Sequence, residues 1–127
     1  MGALYVKDGV EFATIAPGGF EILRAITEVA KELDLDLMIT SGTDGEHSGP
    51  LDPHKLGRAY DMRSYDFISG MKYTILSSVM AKLGITESAN GAPDYSTTTE
   101  KFFGWLEDSG APNEHFHIQQ RHNVEFP

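Results

Sequence analysis

Residues 54–64, HKLGRAYDMRS, pass from a turn-rich loop into alternating residues, and that passage decides how the chain is read. Alternate residues of a strand share a face, so Ala59, Asp61 and Arg63 point one way and Tyr60 and Met62 the other. Gly57 permits a sharp turn out of the loop, and Ala59 is small enough to lie under a site without filling it. Upstream, TDGEHSGPLDPHKLG (residues 43–57) holds three glycines and two prolines without hydrophobic periodicity. It is expected to be a loop, and a long loop in a small domain is usually functional.

Around this stretch the periodicity changes. Phe20, Ile22, Leu23, Ile26, Val29, Ala30 and Leu33 recur at helical spacing, which predicts an amphipathic helix after Pro17-Gly18-Gly19. Leu35, Leu37 and Ile39 alternate with polar neighbours, which predicts a strand ending at Ser41-Gly42. Phe67 to Leu83 predicts a second helix with Gly84 as its stop. Thr99 and Glu100 suit the start of a third short helix through Phe102, Phe103 and Leu106. HFHIQQ (115–120) closes the core as a last strand, and Asp8-Gly9 suits a hairpin turn near the amino terminus. The expected class is therefore α+β, a small, mostly antiparallel sheet flanked by two or three helices. At 127 residues one domain, 1–127, accounts for the chain.

Composition narrows the chemistry. With no cysteine, disulfides and thiolate metal sites are excluded, so a metal would sit on imidazole and carboxylate. A net charge of −9 argues against a nucleic-acid partner and repels anionic polymers of the cell wall. No stretch approaches the roughly 20 apolar residues of a membrane span. MGALYVKDGVEF has neither a basic start before an apolar block nor a small-residue cleavage site, so synthesis in the cytoplasm without a signal peptide is expected.

Four of the five histidines, at 47, 54, 115 and 117, fall in the loop and in the last strand; His122, in a polar tail, suits an exposed role. His115 and His117 share a face of the last strand, so if that strand neighbours the one bearing Asp61, His54, Asp61 and a second imidazole, His115 or His117, can converge on one ion. Three such ligands leave a fourth position for water, the arrangement of a catalytic zinc. Trp105 and Phe102-Phe103 are expected in the core, and Asp44, Glu46 and Asp52 are expected to be solvated.

HKLGRAYD matches H-x-x-G-x-A-x-D and EHFH (114–117) matches E-x-x-H. On these paired motifs the chain resembles the D-alanyl-D-alanine carboxypeptidase family of zinc metallopeptidases, which includes phage L-alanyl-D-glutamate endopeptidases. The wider resemblance takes in lysostaphin-type peptidases and the hedgehog amino-terminal domain, through Asp44-Gly45-Glu46-His47 and His115-Phe116-His117. It implies a fold of that type, zinc on His54, Asp61 and His117, Glu114 as general base or acid, and His115 lining the site, where it would stabilise an oxyanion. It further implies a hydrolase of peptidoglycan stem peptides, a carboxypeptidase or endopeptidase such as a phage endolysin. Such an enzyme would reach the wall after phage-mediated release or as a virion component. Two positions depart from the family pattern. Thr43-Asp44 follows Ser41-Gly42 where an Arg is common, which leaves Arg63 and His47 as the substrate-binding candidates, and Asp52 stands where Ser commonly precedes the first ligand.

Overall fold

The computed structural model describes residues 2–45, 49, 52–86, 94–95 and 101–121. Five strands, β1 (Leu4–Val6), β2 (Leu37–Ser41), β3 (Ala59–Arg63), β4 (Phe102–Glu107) and β5 (His115–Gln120), form one sheet in the order β1-β2-β3-β5-β4. Helices α1 (Pro17–Leu33) and α2 (Ser69–Lys82) complete an α+β fold. The sheet is mixed: β1 runs parallel to β2, and the remaining pairs are antiparallel. Among the described residues no helix is long and apolar enough to cross a membrane.

The helices pack on one face of the sheet. Ile22, Ile26 and Val29 of α1 and Ile75, Leu76, Val79 and Met80 of α2 are fully buried with Leu37, Ile39, Tyr60, Met62, Phe116 and Ile118. Each large apolar side chain removed from water contributes about 1.5–3 kcal/mol, so this layer is the main source of stability. Because strand residues alternate, the same packing turns Asp61 and Arg63 of β3 and His115 and His117 of β5 onto the opposite face.

Two details fix the loop that carries His54. Gly57 has φ +70°, and a Cβ there would collide with the Thr14 carbonyl oxygen. That close approach lets the Gly57 carbonyl accept a hydrogen bond from the Ala16 amide, 3.2 Å, just before α1 begins at Pro17. Proline is tolerated at a helix start because the amide it lacks would have no partner in the helix. On the other side, the β2–β3 register shifts between Ile39 and Ser41, as at a β-bulge, beside Asp61.

Two expectations are corrected. The Asp8-Gly9 turn forms, with the Val10 amide bonded to the Lys7 carbonyl, but no hairpin follows, because residues 10–16 are not a strand. Val10 and Phe12 pack against the core, while the Glu11 carbonyl accepts a bond from the Thr43 amide at 2.8 Å and the Ala13 amide bonds to Thr43 Oγ1. The segment is thus tied to the loop after β2, and β1 pairs with β2 instead. The third helix is also absent at Phe102, Phe103 and Leu106, which lie on β4; Thr99 and Glu100 are outside the described residues. FFGWLE reads with period two, Phe102 and Gly104 buried and Phe103, Trp105 and Glu107 turned to the open face. A side chain at Gly104 would press on the His117 carbonyl oxygen, 2.9 Å from the Cβ position.

Candidate metal centre

The strand register assembles the site in rows. Asp61 lies opposite His117, and His117 opposite Trp105; one step along, Arg63 lies opposite His115, and His115 opposite Glu107. His54 arrives from the turn at 53–57, where Asp52 Oδ1 accepts the His54 amide at 2.9 Å and the Gly57 amide bonds back to the His54 carbonyl at 3.1 Å. Asp52 therefore shapes the ligand turn rather than standing solvated. Asp44 likewise takes the Gly42 and Glu11 amides, at 2.8 and 3.1 Å.

His54, Asp61 and His117 come together as a group that could hold a metal ion, one ligand atom from each lying within 4.8 Å of the others. His117 Nδ1 is 2.9 Å and His54 Nε2 3.4 Å from Asp61 Oδ1, and the two imidazole rings meet edge to face at 5.1 Å. Both histidines are buried, 5% and 7% exposed. Such burial is uncommon for polar rings unless they are paired, and here two imidazoles and one carboxylate face one another. Burial opposes ionisation of Asp61, but hydrogen bonds and charge from His117 and His54 outweigh it and hold the carboxyl below its ordinary range. For His117, burial lowers the pKa, while Asp61, Gln119 and Glu107 together more than restore it, so the net shift is upward. The donor set is that of a three-ligand divalent-ion site. It opens onto a cavity of about 370 Å³ whose walls include Trp105, Glu107, His115 and Gln119.

The other expected site residues divide. His115 faces this cavity, its Nε2 3.1 Å from Glu107 Oε1 and 3.6 Å from Asp61 Oδ1. Arg63 lines an adjoining cavity of about 250 Å³ with Lys7, Tyr65 and Asp61; its guanidinium lies 4.8 Å over the Tyr65 ring and 3.9 Å from Asp66. Glu114 lines that second cavity, not the first. Its carboxylate is held by Lys72 Nζ, by Ser64 Oγ at 2.8 Å and by the Gly110 amide at 2.9 Å. Burial works against the charge, yet these three donors win and lower the Glu114 pKa to about 2. His47 and His122 lie outside the described residues.

Two residues were missed. Trp105 packs on the His117 ring at 4.5 Å and stacks on Phe103 at 5.7 Å, so it borders the site instead of filling the core; only Phe102 of that trio is buried. Glu107 is the carboxylate nearest His115. Both would have followed from reading FFGWLE as a strand paired with HFHIQQ. Compared with family models, curated proteins and solved structures, the chain matches none.

Proposed function

We propose that this chain is a zinc-dependent metallopeptidase that hydrolyses peptidoglycan stem peptides, as a carboxypeptidase or endopeptidase, with zinc held by His54, Asp61 and His117. The observation that carries the proposal is the convergence of these three side chains from a turn and two paired strands beside an open cavity. Bound there, zinc would polarise an amide carbonyl and make water acidic enough to act as a nucleophile near neutral pH. Asp61, kept ionised by its two imidazole neighbours, supplies the anionic ligand.

The proton-carrying role implied for Glu114 passes more naturally to Glu107 and His115. A carboxylate with a pKa of about 2 and three donors is a weak base at neutral pH. Glu107 and His115 face the cavity and each other instead, within hydrogen-bond reach. Lys7 and Arg63, in the adjoining cavity against Asp61, offer positive charge to a stem-peptide carboxylate. They would supply the local attraction that a chain of net charge −9 otherwise lacks. The substrate class comes from the two motifs, as does delivery to the wall by phage-mediated release or as part of a virion.

One observation favours a second reading. The motif carboxylate Glu114 is bound into the fold by Lys72, which suits a non-catalytic zinc module of structural or partner-binding role. Metal analysis followed by incubation with purified peptidoglycan separates the two. Bound zinc with release of new amines or D-alanine supports the peptidase; zinc without turnover supports the module; a chain that takes up no zinc at this site refutes both.

A further inference from the structure

Asp61 belongs to two converging donor sets. Besides His54 and His117, it meets Glu107 and His115, and one ligand atom from each of Asp61, Glu107 and His115 also lies within 4.8 Å of the others. The orientation of His115 is fixed from behind. Its Nδ1 is 2.8 Å from the Asn113 carbonyl oxygen, which can only accept, so Nδ1 carries the hydrogen. A histidine anchored in this way by a backbone carbonyl presents its other nitrogen as a ligand. Here Nε2 points between two carboxylate oxygens, Glu107 Oε1 at 3.1 Å and Asp61 Oδ1 at 3.6 Å. One imidazole nitrogen and two carboxylate oxygens converging in this way are the kind of donor set that holds a divalent cation.

We propose that Asp61, Glu107 and His115 form a second, weaker divalent-cation site, which shares the Asp61 carboxylate with the His54 site and stops hydrolysis when zinc is in excess. The inference rests on the first site's holding zinc. Asymmetry of the two sites follows from exposure: the side chains of His54 and His117 are 7% and 9% exposed, those of His115 and Glu107 22% and 33%. Ligands that remain hydrated and mobile give back more on binding, so the buried set fills first. A carboxylate shared between neighbouring ions is also how paired metal sites are built, at separations of roughly 3.5–4 Å. Inhibition follows because an ion on Glu107 and His115 occupies the groups that would otherwise carry protons at the cavity wall.

Chelator-stripped protein is titrated with zinc by equilibrium dialysis and elemental analysis. The expected result is two classes, one tight and one at least tenfold weaker, approaching two zinc per chain. Glu107→Gln and His115→Gln should each weaken the second class by tenfold or more and leave the first unchanged, with melting curves showing that both variants fold. Peptidase activity should rise with the first equivalent and fall with the second in the wild type. Saturation at one zinc per chain would overturn the second site and leave the zinc peptidase standing. A second class that persists undiminished in both variants would overturn it too, by placing that ion elsewhere. No uptake at all would overturn both.

Discussion

The two faces of the sheet are built from the same strands and obey opposite rules. On the helix-covered face, Tyr60, Met62, Phe116 and Ile118 are fully buried against α1 and α2. On the other, Asp61, His115 and His117 stand with Glu107, Gln119 and Trp105 around a cavity of about 370 Å³. One residue of offset separates a side chain that stabilises the fold from one that gathers charge. The open face thus need not be apolar, because the packed face supplies the stability that holds two histidines and two carboxylates close together.

The sharpest contrast comes from adjacent residues of β5. Phe116→Ala removes a fully buried ring between the sheet and the helices, and should cost about 3–5 kcal/mol in denaturant unfolding. A loss under 1 kcal/mol would mean that the helix-covered face is not the core. Gly57→Ala attacks the link between the faces. It forces a side chain into a left-handed conformation against the Thr14 carbonyl, and should cost roughly 2–3 kcal/mol and weaken zinc uptake by displacing the His54 turn. Unchanged melting and zinc affinity would show that this close approach does not hold the turn.

Glu114 tests which face that residue serves. Lys72→Met leaves its carboxylate without a charged partner, at a cost of roughly 1–3 kcal/mol at neutral pH, with zinc content unaltered. The acid dependence has a definite sign. Because the folded pKa, about 2, lies below the ordinary 4.5, the carboxylate adds stability that is present above about pH 4.5 and is lost as pH falls towards 2. Asp61 shifts in the same direction, so the difference between wild type and Lys72→Met is what reports Glu114. Equal acid sensitivity in the two proteins would free Glu114 from Lys72 and return it to the list of candidate bases.

Much of this was legible in the sequence where one period dominated. The spacing from Phe20 to Leu33 marked α1, and the alternation through Ala59–Arg63 and His115–Gln120 placed Asp61 and His117 on the open face. The failures share a cause, which is that tertiary contacts decide between local options. Asp8-Gly9 marks a turn in the sequence, but no local signal says that Glu11 and Ala13 bond to Thr43 rather than to β1. Paired aromatics in FFGWLE fit a helix or a strand equally in isolation; pairing with β5 selects the strand, and with it the positions of Trp105 and Glu107. Motif spacing alone points to Glu114, and it carries no sign of Lys72, 42 residues away in sequence, which binds that carboxylate at the cavity shared with Asp61 and Arg63.

The most direct test is the zinc content of wild type, His54→Ala, Asp61→Ala and His117→Ala, each dialysed against trace zinc and checked for folding by circular dichroism. One tightly held zinc per wild-type chain is expected, with little or none in each folded variant, and the wild type should melt higher with zinc than without it. Full zinc retention in any of the three variants would remove that residue from the site, and wild type free of tight zinc would contradict the metal centre itself.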